Sequence, residues 1–170
     1  YSILDGQASI PRLVDKAMAN GMKGIAVTDH GDMFGIKEFF NYVNKKNGGT
    51  NGEIKTLKKK ISSLEKEGAP ISEIEEAKQA IENAKKKLFK PILGCEMYVA
   101  KRRLFNKEGK PDQSGYHLIV LAKNEKGYHN LIKLVSKAWT EGFYMRPRTD
   151  RVELEKYSEG LIICSACIAG

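Results

Sequence analysis

Apolar positions recur along the chain in two rhythms. In SIPRLVDKAMANG (9–21), Leu13, Val14 and Ala17 fall on one side of a helix. Ser9 suits the N-cap, Pro11 the first turn, and Gly21 the stop. FGIKEFFNYVNKKNGG (34–49) predicts a second helix, with Phe39, Phe40 and Val43 as its apolar positions and Gly48-Gly49 as its end. Between the two, GIAVTD reads as a strand. KPILGCEMYVA (90–100) and YHLIVLAK (116–123) are further strands, and LIICSACIAG (161–170) begins as one. NEKGYHNLIKLVSKAW (124–139) predicts a helix that gathers Leu131, Leu134, Val135 and Ala138 on one face, and TDRVELEKYSEG (149–160) contains a short one.

Residues 50–90 have a different character: they are rich in lysine and glutamate. Ile54, Leu57, Ile61 and Leu64 follow 3-4 spacing, as do Ile71, Ile74, Ala77, Ile81, Ala84 and Leu88. Gly68-Ala69-Pro70 separates the two runs, and Ser72–Glu75 matches a capping box. An antiparallel helical hairpin zipped along one apolar seam is expected over 47–90, as an insertion into the core pattern. Outside it, near-continuous apolar strands alternating with helices predict an α/β fold with a parallel sheet. A (β/α) barrel and an open doubly wound sheet both fit. No G-x-G-x-x-G or G-x-x-x-x-G-K-[ST] is present, which argues against a Rossmann or P-loop nucleotide site.

Composition narrows the classes. With 170 residues, 41% of them hydrophobic, the chain suffices for one domain with a real core. No window approaches the roughly 20 apolar residues of a membrane span, and no apolar signal segment opens the chain. Its first residue is tyrosine, so a fragment, a processed chain or a missing N-terminus is expected. Three cysteines, Cys95, Cys164 and Cys167, do not make a secreted disulfide scaffold and suit a reducing cytoplasm. Cys164 and Cys167 form a single C-x-x-C pair, a weak zinc or redox signal without a second pair. The net charge of +8 suits a polyanionic partner, although plain solubility accounts for it equally well. Ten lysines and seven glutamates in 47–90 supply three of those charges, and the rest cluster around Lys101–Lys110 and Arg146–Arg151.

The candidate chemistry lies at strand ends. In parallel α/β folds, polar residues just past a strand's carboxyl end line the site. Asp29 and His30 hold that position after the first strand, and Gly31 permits a tight turn there. Glu96 sits in the next core strand, His117 opens the following one, Cys167 follows the last, and Asp5 lies in SILDG before the first helix. Converging histidine, carboxylate and thiol are a metal-site composition. Imidazoles and carboxylates suit zinc, manganese or iron, and a thiolate tips the balance toward zinc. Such ions activate water and hold phosphate oxygens during hydrolysis. Glu96 is suited to bridge two ions, and Asp29 to orient its neighbour. The ordinary alternatives are a hydrogen-bonded structural histidine and a solvated strand glutamate. Cys164 lies in an apolar run and reads as core; Cys95 alternates with Glu96 and reads as core; His129 reads as surface.

The segments YSILDG, AVTDHGDMFG, KPILGCEMYVA, YHLIVLAKNEKGYHNLIKLVSKAW, EGFYMRPRTD and LEKYSEGLIICSACIAG occur in this order. They resemble the N-terminal polymerase-and-histidinol-phosphatase (PHP) domain of bacterial DNA polymerase III alpha subunits, across the chain except about 47–90 and part of 101–115. The resemblance implies a distorted seven-stranded β/α barrel, present here in part over 1–170 and carrying the 47–90 hairpin as an insertion. By motif it implies metal ligation by His30, Glu96, His117 and Cys167, with Asp5 as a further ligand and Asp29 in support. The implied cofactors are divalent ions: zinc, manganese or magnesium. The family's H-x-H motif precedes YSILDG and its final D-x-H lies beyond Gly170, so the chain is expected to be truncated at both ends, with an incomplete and inactive site.

The resemblance further implies a cytoplasmic, DNA-directed DNA polymerase as the full-length protein, a nucleotidyltransferase of DNA replication. Its polymerising residues lie outside this segment. Its partners would be DNA, deoxynucleoside triphosphates, a proofreading subunit and a sliding clamp, with no membrane. The PHP region itself is implied to be a 3′–5′ proofreading exonuclease or a structural support for the polymerase. The alternatives are a stand-alone PHP phosphatase and a metal-free partner-binding scaffold. Arg146 and Arg148 are candidate contacts to DNA or to neighbouring domains.

Overall fold

The computed structural model describes residues 6–113 and 115–170. Its elements run α1 (Ile10–Ala19), β1 (Gly24–Val27), α2 (Ile36–Lys46), α3 (Gly48–Glu67), α4 (Ile71–Lys87), β2 (Lys90–Ala100), α5 (Lys110–Gln113), β3 (Gly115–Ala122), α6 (Glu125–Thr140), β4 (Arg148–Thr149), α7 (Arg151–Lys156) and β5 (Leu161–Ser165). The fold is mixed α/β. Its sheet has the order β1-β2-β3-β5, with β4 paired to β2, and does not close into a barrel among the described residues. Among the described residues, no helix is long and apolar enough to cross a membrane.

The expected parallel sheet is corrected by the strand register. β2 and β3 are antiparallel, pairing Glu96 with Ile119 and Tyr98 with His117, and β3 and β5 are antiparallel too. Parallel pairing survives between β2 and β4 and at the His30–Glu96 bridge. Between β2 and β3 the chain offers loop and one short helical turn, without the long helix that usually makes a parallel crossover, and β3 turns back. Continuous apolar runs did not report strand direction, and β5 is largely exposed despite its own.

The chain divides into two compact units. One comprises the segment ending at Ser9 together with Ala26–Phe39 and Pro91–Gly170; the other comprises Ile10–Ile25 and Phe40–Lys90. The first unit is built on a two-faced sheet. Cys95 and Met97 of β2 and Val120 of β3 are buried with Leu131 and Leu134 of α6, joined by Leu118, Val135, Leu154, Tyr157 and Leu161. Side chains alternate along a strand, so Glu96, Tyr98 and His117 share the opposite face. α6 starts where Asn124 caps it, accepting from the Gly127 N–H at 2.9 Å.

In the second unit, α3 and α4 form the expected hairpin. Ala77, Ile81 and Ala84 are buried, and Ile54, Leu57, Ile61, Leu64 and Ile74 are half-buried. Gly68 closes α3 in the left-handed region at φ 65°, donating to the Leu64 carbonyl. Two local expectations are overturned. Gly48-Gly49 opens α3 and does not stop the chain, because the break falls one residue earlier. There the buried Asn47 side chain bonds both backbone groups of Phe89, at 2.9 and 3.1 Å. The capping box at Ser72–Glu75 is not formed, since α4 already begins at Ile71 after Pro70. Phe40 is exposed.

Arg148 requires a further correction. It was a candidate contact to DNA or a neighbouring domain, yet its side chain is fully buried. Its guanidinium donates to the carbonyls of Gly142 (3.1 Å), Asp112 (2.7 Å), Leu104 (3.0 Å) and Asn106 (3.0 Å). It thereby ties the 101–113 loop to the end of α6 and is unavailable to a partner. Asp150 secures the same loop. It accepts from Arg103 Nε (2.7 Å) and the Leu104 N–H (2.9 Å), and caps α7 through the Glu153 N–H (2.9 Å). Burial alone would raise the Asp150 carboxyl, but these bonds outweigh it and hold the group below the usual carboxylate range. Arg102 holds Asp112 low in the same way.

Replacing Arg148 with Met should cost at least about 3 kcal/mol, since charge-assisted hydrogen bonds contribute roughly 1.5–3 kcal/mol each. A lowered urea midpoint at unchanged slope would show this. Because Asp150 and Asp112 are depressed in the fold, their stabilisation is complete above the unfolded carboxylate value near about 3.9 and drains away as pH falls through the folded values. Asp150→Asn should therefore be less stable at pH 7 and show a flatter loss of stability on acid titration than the parent.

Candidate metal centre

Backbone pairing brings the candidate ligands together. The β2–β3 register sets His117 opposite Tyr98, two pairs along from Glu96. His117 Nδ1 lies 2.8 Å from Glu96 Oε1. His30 arrives from the end of β1: the Glu96 N–H donates to the Asp29 carbonyl (3.0 Å), and the Gly31 N–H donates to the Glu96 carbonyl (2.8 Å). His30 Nδ1 consequently lies 3.4 Å from the second carboxylate oxygen, Glu96 Oε2. Cys167 sits in the turn after β5. That turn is tied to His117, whose N–H donates to the Ala169 carbonyl (3.1 Å), and Cys167 Sγ lies 3.3 Å from His117 Nδ1.

Glu96, His117 and Cys167 form a group whose ligand atoms all lie within 4.8 Å of one another. Imidazole nitrogen, carboxylate oxygen and sulfur within that span are a donor set that fits a divalent ion, and the sulfur suits zinc. Glu96 is the hub, with one oxygen toward each histidine. Asp5 lies outside the described residues. Asp29 is buried, and its carbonyl takes part in the ladder that fixes His30.

Cys164 corrects an expectation: it is exposed, not core. Its partner Ile119 shares the face of Glu96, so the apolar run at 161–164 misled. Cys95 is buried as expected, and burial pushes its thiol well above the ordinary value, which keeps it inert. His129 is exposed.

Three neighbours escaped the sequence reading. Tyr98 meets His117 edge-on, with ring centroids 5.1 Å apart. Its hydroxyl accepts from Arg146 at 2.7 Å, and that guanidinium stacks 4.8 Å from the ring centre. Two-residue spacing from Glu96 was the signal that places Tyr98 on this face. Asp32 is a buried carboxylate in the His30 loop and accepts from the Phe34 N–H (3.0 Å). Burial, with Asp29 nearby, raises it above the usual range. Trp139 of α6 donates its indole N–H to the Gly31 carbonyl (2.8 Å).

Histidine, carboxylate and thiol gathered on one face of an α/β sheet define a candidate hydrolytic metal protein. The family model for the PHP domain matches residues 1–170, and the chain belongs to that family. It is 42% identical over 173 residues to the DNA polymerase III subunit alpha of Borreliella burgdorferi, covering all of this chain and 11% of that protein. It is 39% identical to the same-named protein of Treponema pallidum and 34% identical to that of Aquifex aeolicus, covering all of this chain and 11% and 12% of those proteins. The chain thus spans about a tenth of the length of these relatives.

Gly31 lets the His30 turn form. Its φ is +70°, and an added Cβ would stand 2.7 Å from Pro147 Cγ and 3.1 Å from Tyr98 Cε2. Gly31→Ala should lower stability by about 1–3 kcal/mol, from left-handed strain and this collision together. A shift of the thermal midpoint by calorimetry measures it.

Proposed function

We propose that this chain is the metal-binding, phosphoesterase-type PHP domain of a replicative DNA polymerase III alpha subunit. The convergence of Glu96, His117 and Cys167, with His30 on the second oxygen of Glu96, carries the reading. The metal-binding character general to PHP domains and the names of the relatives support it. In this reading the five strands are part of a distorted (β/α)7 barrel, and residues 47–90 are an inserted hairpin. The parent protein is a cytoplasmic DNA-directed DNA polymerase using DNA and deoxynucleoside triphosphates. It works with a proofreading subunit and a sliding clamp, and its polymerising residues lie outside this segment.

His30, Glu96, His117 and Cys167 would hold the ion, with Asp5 as a further ligand. Zinc fits the thiolate best, ahead of manganese or magnesium. When bound, such an ion supplies an acidified water and charge for phosphate oxygens. The chain's own residues prepare that chemistry. Glu96 turns one oxygen toward each imidazole, and Tyr98 packs edge-on against His117. Arg146 is an exposed cation held beside that face by Tyr98, suited to a phosphate of the strand being trimmed. The phosphoesterase activity proposed is 3′–5′ trimming of DNA.

The test uses the full-length protein, with bound metal measured by elemental analysis and 3′ trimming of single-stranded DNA measured alongside. His117→Ala should lose most of the stoichiometric metal and at least about 100-fold in trimming, the scale of removing a group that holds a catalytic ion. A wild-type protein without stoichiometric metal would sink the reading. So would a His117→Ala protein that keeps both metal and trimming.

A further inference from the structure

The α3–α4 hairpin sorts its charges by position. The half next to its base, residues 48–60 and 78–87, carries eight lysines and two glutamates. The half next to the turn, residues 61–77, carries one lysine and five glutamates. Because the helices run antiparallel from the Gly68 turn, the two lysine-rich stretches lie side by side. Lys58 of α3 lines one groove with Lys78 and Lys85 of α4, beside Glu75 and Glu82. Of the eight lysines, only Lys85 has a carboxylate within ion-pair distance among the described residues, Glu82 at 2.6 Å.

Helix stability explains this pattern in α4 but not in α3. α4 has Glu73 in its first turn and Lys85, Lys86 and Lys87 in its last, matching its dipole. α3 has no acid in its first turn and carries Glu65 and Glu67 close to its carboxyl end, where the dipole disfavours them. Lys55 and Lys59 are four apart on one helix, so like charges repel along α3. A hairpin arranged only for stability would alternate the signs. This one accepts repulsion in order to concentrate positive charge at its base.

We infer that the base half of the hairpin binds the phosphate backbone of duplex DNA. The thirteen residues 48–60 span about 20 Å at 1.5 Å per residue, the axial length of about six base pairs. Residues 50–87 contain no aromatic side chain. The surface therefore lacks the stacking platform that holds unpaired bases, which selects a duplex over a single strand. Lysines without planar partners grip phosphates and read no sequence. The choice of DNA as the duplex rests on the polymerase reading. The site itself is independent of the metal centre.

The test compares the full-length protein with a variant carrying Lys55→Gln, Lys58→Gln, Lys59→Gln and Lys86→Gln, and with the matching four-arginine variant. Fluorescence anisotropy of a labelled duplex is followed from 50 to 200 mM salt, with helix content checked by circular dichroism. The glutamine variant should bind about 10-fold or more weakly at the low end and lose about 2–4 from the slope of log K against log salt, near 0.9 for each lost contact. The arginine variant should keep both. A folded glutamine variant with unchanged affinity and slope overturns the inference. So does one that loses binding to polyglutamate while holding duplex DNA as before, since the surface would then serve an acidic protein. Metal content and trimming report separately on the proposed function, so either conclusion can fail alone.

Discussion

The register between β2 and β3 is the constraint on which the candidate centre depends. Setting Tyr98 opposite His117 puts Glu96 and His117 on one face and Cys95, Met97, Leu118 and Val120 on the other. A slip of one residue would turn one of the two ligands into the core. The apolar face prevents that slip, because it is buried against Leu131 and Leu134 of α6. Each such side chain contributes roughly 1.5–3 kcal/mol that a slipped strand would forfeit. The polar face inherits its geometry from a packing decision made on the other side of the sheet.

His30 is brought to Glu96, and Cys167 to His117, by backbone means. The Asp29–Glu96–Gly31 ladder delivers His30, and the bond from the His117 N–H to the Ala169 carbonyl delivers the Cys167 turn. Neither depends on side-chain reach, so the donor set is preorganised by the sheet. Tyr98, Arg146 and Trp139 then brace the surroundings from the side of α6 and the segment that follows it. Arg148 holds that region against the 101–113 loop, taking up four carbonyls that would otherwise lie buried without donors.

Period and spacing made much of this readable in the sequence. The alternation in KPILGCEMYVA placed Cys95 inward and Glu96 outward, and the helical runs were found within a few residues of their bounds. Strand direction was not readable, because an apolar run carries no signal of direction: β3 and β5 are antiparallel although the long helix α6 lies between them in the chain. Nor was the fate of Arg148, since an arginine among basic neighbours looks like surface until a set of unpaired carbonyls is seen around it. Cys164 misled for the converse reason: its apolar neighbours Ile162 and Ile163 are exposed as well, so the run does not mark a buried strand. Gly48-Gly49 failed as a stop because helix propensity is a weak prior. The bonds from Asn47 to Phe89 outweigh it by fixing the bend one residue upstream.

The hairpin obeys a different logic from the sheet. Its apolar seam uses small residues on α4, Ala77 and Ala84 beside Ile81, which is enough to zip two helices but leaves little excess stability. In that setting, charge placement is a sizeable lever on whether the hairpin forms. A sequence shaped only to keep it folded would pair lysine with glutamate across the seam and along each helix. The observed order matches the helix dipole in α4 but leaves the first turn of α3 without an acid and places Glu65 and Glu67 near its carboxyl end, gathering positive charge toward the base at the expense of the hairpin's own stability. Repulsion of that kind persists only where something else relieves it. A polyanion laid along the base neutralises the crowded lysines, so the feature that weakens the free hairpin is the one that would tighten it on a phosphate backbone.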